Sequence, residues 1–112
     1  QTKDIINVME KDSKLKLKEL KVDGGACNNN YLMQFQSDIL NCKVLRPEII
    51  ESTAMGAGYL AGIYSSLWDK NTILLNQEIN KIFDPSIDDD KRKSLYKGWN
   101  SAVKRSMNWI EK

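Results

Sequence analysis

The residues best suited to chemistry in this chain run Val22-Asp23-Gly24-Gly25-Ala26-Cys27-Asn28-Asn29-Asn30. Apolar and charged side chains alternate up to Val22, an Asp-Gly-Gly turn follows, and an amphipathic run opens beyond the asparagines. This is the pattern of a strand ending in a glycine hinge that feeds a helix start. Without a Cβ, the glycines let a ligand or a second backbone come close. The unpaired N–H groups of a first helical turn suit a phosphate or the polar edge of a ligand. Asn29 adds a donor and an acceptor on one amide. Asp23 is read as orienting the turn, because a lone carboxylate is a poor basis for acid–base or metal chemistry. Cys27 stands near a helix start, where a thiol pKa can fall. The plainer reading is a small, partly buried apolar residue.

Other chemistries find less support. Cys27 and Cys42 stand fifteen positions apart, with no CxxC pair and no histidine in the chain. A structural zinc site is therefore not expected, and a disulfide is poorly motivated in a chain that reads as cytoplasmic. The 17 basic and 15 acidic residues leave a formal net charge of +2, too balanced to mark a nucleic-acid surface. Stacking modules need aromatics on an exposed basic face. Of Trp68, Trp99 and Trp109, Trp99 falls instead on an apolar helical stripe, so core packing is expected there and no nucleic-acid partner. No apolar run reaches spanning length, and Gln1-Thr2-Lys3-Asp4 carries no signal-peptide core. With no initiating methionine, the 112 residues are read as starting inside a longer protein.

Periodicity gives the helices and strands around the turn. Residues 2–11 place Ile5, Ile6, Val8 and Met9 on one helical side. Residues 14–22 alternate Lys and Leu, then slip parity near Glu19, as a strand with a bend or bulge would. Residues 30–40 put Leu32, Phe35 and Ile39 on a helical face, widened by Met33 and Leu40. Residues 43–45 form a short strand candidate stopped by Arg46-Pro47. Ser52 or Thr53 then caps a helix containing Gly56, Gly58 and Gly62. Interior glycines cost roughly 1 kcal/mol each against alanine, so close approach to a sheet or ligand, or tight core packing, is expected to compensate. Residues 71–83 are ambiguous. Residues 86–90 supply a cap and an acidic first turn for a last helix striped by Leu95, Trp99, Ala102, Val103, Met107 and Ile110. The alternation implies an α/β layer arrangement. Two short strands cannot make an independent sheet, so the remaining strands are expected outside this chain.

With the pieces placed, the chain resembles the C-terminal portion of the FGGY carbohydrate kinases, along its whole length and nearest the glycerol-phosphorylating branch. The resemblance is carried by Val22-Asp23-Gly24-Gly25-Ala26, Asn29, Leu32-Met33-Gln34-Phe35-Gln36-Ser37-Asp38-Ile39-Leu40, Arg46-Pro47-Glu48, Thr53-Ala54-Met55-Gly56-Ala57, Tyr59-Leu60-Ala61-Gly62 and Gly98-Trp99 with Ala102-Val103-Lys104-Arg105. It implies an actin-like, ribonuclease-H-like ATPase domain, of which residues 1–112 are the C-terminal part of the nucleotide-side domain. It implies transfer of the ATP γ-phosphoryl group to glycerol, with Mg2+, in a cytoplasmic homo-oligomer (dimer or tetramer). It places Gly25, Ala26 and Asn29 against the nucleotide, and the catalytic and glycerol-binding residues upstream of Gln1. The segment alone is then expected to be inactive. Another FGGY sugar or sugar-acid kinase would carry the same turn. A regulatory protein docks near the matching segment in some bacterial relatives, here residues 85–99, from Pro85 to Trp99. The run Asp88-Asp89-Asp90-Lys91-Arg92-Lys93 departs from that pattern and reads as a solvated helix start.

Overall fold

A computed structural model describes residues 1–75 and 78–107. Five helices and three strands follow in the order α1 (Thr2–Ser13), β1 (Glu19–Lys21), a 3-10 turn (Gly25–Asn28), α2 (Asn30–Leu40), β2 (Lys43–Pro47), α3 (Ser52–Tyr64), α4 (Lys70–Leu75), β3 (Ile79–Phe83) and α5 (Asp89–Ser106). The sheet order is β1-β2-β3. β1 runs parallel to β2, with Leu20 opposite Val44, and β3 runs antiparallel to β2, with Val44 opposite Phe83.

The third strand corrects the two-strand expectation. The Ile79–Phe83 run has no alternation of its own, and four of its five residues are exposed. Its strand character comes from the ladder with β2. β2 runs two residues past the expected Leu45 and ends at the proline. Pro47 sits at a register shift, where Arg46 faces Lys81 and Pro47 faces Ile79. Asn80 is thus the extra residue of a bulge, a position that tolerates a missing N–H.

The long strand expected over residues 14–22 shrinks to Glu19–Lys21. Lys14 closes α1 in the left-handed conformation. Side chains then take the donors that a ladder would have used: Leu15 N–H goes to Ser13 Oγ at 3.2 Å and Leu17 N–H to Glu10 Oε1 at 2.8 Å. Such local side-chain bonds compete with strand pairing. Ladder bonding resumes with Lys43 N–H to Lys18 O and ends with Val22 N–H to Leu45 O at 3.1 Å.

The core is small. Cys27, Met33, Val44 and Phe83 form its buried centre, with Leu20, Val22, Leu32 and Ile50 packed around it. Val44 is fully buried, which stabilises the fold by about 1.5–3 kcal/mol. α2 turns Met33, Ser37, Asp38 and Ile39 inward, whereas Phe35, expected on the core face, remains exposed. The Ser37 hydroxyl lies 2.9 Å from the carbonyls of both Cys42 and Phe83. One polar residue thus ties the helix to β3 and to the link that leads into β2, a role that the apolar count could not assign.

α5 is fastened through polar groups rather than through its stripe. Leu95, Trp99 and Met107 are exposed, and Arg92 is the buried residue of the helix. Arg92 Nε donates to Asp38 O at 2.6 Å and NH2 to Ile87 O at 2.9 Å, and its guanidinium pairs with Asp89. Trp99, placed in the core by periodicity, instead donates from Nε1 to Asp4 Oδ2 at 2.7 Å. Ile110 and Trp109 lie outside the described residues, as do residues 76 and 77 of the ambiguous stretch.

Candidate functional site

The turn after β1 lies at the carboxyl end of the parallel pair β1 and β2, where open α/β sheets present ligand sites. Gly24 takes φ +83° and ψ 164°, a combination open essentially to glycine alone. Its N–H donates to Ile50 O at 2.6 Å. Gly25 has an ordinary φ, and a Cβ built on it meets nothing within 4 Å. Of the two glycines, Gly24 is therefore the one that the backbone requires. At Gly25 the lack of a side chain leaves open space toward solvent.

Beyond it the chain makes one 3-10 turn, held by Cys27 N–H to Gly24 O at 3.0 Å and Asn29 N–H to Ala26 O at 3.1 Å. Gly25 and Ala26 on this turn and Asn29 at the helix entry that follows are all exposed. Asn29 is the N-cap of α2, its Oδ1 accepting Leu32 N–H at 3.0 Å. This satisfies one orphan donor and fixes the amide plane. Between them the three residues offer backbone N–H groups, a small methyl and an oriented amide.

Cys27 faces the other way. It is buried, and its Sγ donates to Asp23 O at 2.8 Å. Burial first, and the nearby Asp23 charge second, raise its thiol pKa. Both effects run against an activated thiol. Cys42 is likewise a free buried thiol raised by burial.

Arg46, expected to stop a strand and to carry part of the family motif, proves central here. Arg46 NH1 donates to Cys27 O at 2.9 Å and to Asn30 Oδ1 at 3.0 Å. Its Nε and NH2 reach Asn80 Oδ1 at 3.2 and 2.9 Å. The Arg46-Pro47-Glu48 motif marked the position, but nothing local in the sequence joins it to Asn80, thirty-four residues away.

Next to the turn is a cleft of about 420 Å³ lined by Val22 and Asp23, by Glu48 and Ile49, and by Met55 and Tyr59 of α3. Gly25, Ala26 and Asn29 do not line it. α3 itself is largely exposed. The close approach expected of its glycines occurs only at Gly62, under the Trp68 indole, whereas Gly56 and Gly58 face open space. Its cap also differs from expectation. Glu51 holds the N-cap position without a side-chain bond, one residue before Ser52.

These features meet in a known family. Residues 1–65 match the model of the FGGY family of carbohydrate kinases, C-terminal domain. The chain belongs to that family. This FGGY segment is 54% identical to a glycerol kinase of Clostridium botulinum over 113 aligned positions, covering 100% of the chain and 23% of the relative. It is 58% identical to a glycerol kinase of Treponema denticola, covering 97% of the chain and 22% of the relative. Its fold superposes on the crystal structure of Plasmodium falciparum glycerol kinase with ADP at a TM-score of 0.78 and 33% identity, over 97% of this chain and 22% of that one. The FGGY segment thus spans about a quarter of the length of the relatives it matches. The α/β arrangement expected from the sequence, part of an actin-like ATPase domain, is borne out. No helix among the described residues is long and apolar enough to cross a membrane.

Proposed function

We propose that this chain is the C-terminal part of the nucleotide-side domain of a glycerol kinase. The whole protein transfers the γ-phosphoryl group of ATP to glycerol, giving glycerol 3-phosphate and ADP, and works in the cytoplasm as a homo-oligomer. The observation that carries this reading is the end-to-end likeness to glycerol kinases, at 54% and 58% identity. The exposed turn at the carboxyl end of β1 supports it, and so does the superposable relative that was crystallised with ADP.

Within that reading Gly25, Ala26 and Asn29 contact the nucleotide. Gly25 presents bare backbone to it, Ala26 lines the same wall, and Asn29 lies against the adenosine with its plane set by the cap. Phosphoryl transfer depends on positioning and charge stabilisation from both sides of a cleft. This segment supplies one wall, so the glycerol site and the catalytic base belong to the rest of the protein. Magnesium enters as the ion carried by ATP.

The test is ADP release by the full-length protein with glycerol, xylulose and gluconate as acceptors, beside the 112-residue chain alone. Glycerol-dependent turnover by the full-length protein and none by the segment is the expected result. Preference for xylulose or gluconate would replace the substrate and keep the family. Turnover by the isolated segment would overturn the division of labour.

A further inference from the structure

We infer that Arg46 is a positioning residue for the nucleotide: its guanidinium clamps the turn bearing Gly25, Ala26 and Asn29 to β3. The inference rests on the assignment of those three residues to the nucleotide. The turn is a weak structure by itself. Buried Cys27 anchors its inner side, but within the turn two backbone hydrogen bonds hold the outer side, whose residues are exposed, and Gly24 at its entry carries the freedom of a glycine. A ligand that bound it unsupported would have to order it first, at a cost in affinity.

Arg46 supplies the support from both sides. NH1 holds Cys27 O and Asn30 Oδ1, the two positions that flank Asn28 and Asn29. The opposite edge of the guanidinium holds Asn80 Oδ1. Asn80 is the bulge residue of β3, and bulges re-aim side chains. Its own amide is held in turn, because Nδ2 donates to Glu48 Oε2 at 2.8 Å, which keeps Oδ1 toward Arg46. The Phe83 ring lies 5.6 Å from the guanidinium carbon. A planar fork with donors on both edges can bridge such a gap. A lysine ammonium, a single point on a flexible stem, cannot hold both sides at once.

The experiment uses the full-length protein that carries this segment, with Arg46→Met, Arg46→Lys and Asn80→Ala. ADP affinity is measured by calorimetry, KM for ATP and glycerol by steady-state kinetics, and Tm by thermal melting. Arg46→Met is expected to weaken ADP and raise KM for ATP about tenfold, the size of one lost charge-assisted hydrogen bond, with KM for glycerol unchanged. Arg46→Lys should recover only part of this. Asn80→Ala, which leaves the arginine but frees its far edge, should give a smaller change of the same kind. If Arg46→Met does not fold, the other two variants carry the same readout. A fall in Tm with ADP affinity intact in all folded variants would overturn the inference, since it would make Arg46 merely structural. Asn29→Ala separates the two levels of the argument. If it weakens ADP and the Arg46 variants do not, the clamp alone fails. If none of them alters ADP affinity while glycerol is still phosphorylated, the nucleotide assignment fails and the clamp with it.

Discussion

The Asp38 carboxylate accepts the backbone N–H of Ser86 at 2.6 Å, across forty-eight positions of chain. The same carboxylate takes the Ser86 hydroxyl at 3.0 Å and Gln34 Nε2 at 3.1 Å. Gln34 Nε2 also reaches Asp84 O at 2.8 Å. This knot ties α2 to the segment that leads into α5. Replacing Asp38 with alanine strands the Ser86 N–H in a part-buried place, for a loss of about 2–3 kcal/mol. The check is the shift in urea midpoint against the parent protein.

Asp38 also sets an acid limit. Burial pushes its carboxyl upward, but the hydrogen bonds from Ser86 and Gln34 outweigh burial and leave it below the ordinary 3.8. A depressed carboxylate stabilises the fold fully above its unfolded value and loses that contribution as pH falls through the folded one. Stability should therefore drop below about pH 4, and Asp38→Asn should flatten that part of the pH–stability curve. An unchanged acid limb in the variant would remove Asp38 from the account.

The α1–α5 contact titrates at the other end of the scale. Tyr96 OH donates to Asp4, and this bond holds the phenol above its ordinary 10 while the bonds from Tyr96 and Trp99 lower the Asp4 carboxyl. A raised phenol stabilises below its unfolded value and releases the contact as pH rises through the folded one. In Asp4→Asn the ultraviolet titration of Tyr96 should move down, and the Trp99 emission should change with it.

The glycines of α3 should behave unequally in the 112-residue chain. A Cβ at Gly62 would overlap the Trp68 indole, whose edge-to-face partner Tyr59 lies 5.9 Å away. At Gly56 and Gly58 nothing lies within 4 Å. Gly56→Ala and Gly58→Ala should each raise helix stability by roughly 0.5–1 kcal/mol, whereas Gly62→Ala should displace Trp68 and shift its fluorescence. Equal melting shifts at all three positions would contradict this packing.

Neither thiol should react readily in the folded state. Cys27 and Cys42 are both buried and both raised by burial. A disulfide-exchange reagent at pH 8 should label them at the rate of unfolding, and denaturant should release both at once. Rapid labelling of Cys27 alone would restore the activated-thiol reading.

The features legible in the sequence are local ones. α2 begins and ends where the pattern places it because both ends close within the segment: Asn29 caps Leu32 N–H, and Asn41 takes the left-handed conformation and donates to Ser37 O. The start of α5 is local too, with Asp88 Oδ1 accepting Lys91 N–H at 2.7 Å. The glycine turn was legible for the same reason, although only the backbone angles separated Gly24, which needs the conformation, from Gly25, which leaves room. Tertiary structure decided the rest, since a strand is defined by its partner and a buried charge by what surrounds it. Ile79–Phe83 becomes a strand only beside β2, and Leu17 is lost to pairing because Glu10 reaches it first. Arg92 is buried because the Asp38 carbonyl meets it there. Arg46 holds the turn because a bulge thirty-four residues away aims Asn80 at it. Local hydrogen bonds close within one turn of chain and leave a mark in composition, whereas a contact across the sheet leaves none until the strands are laid side by side.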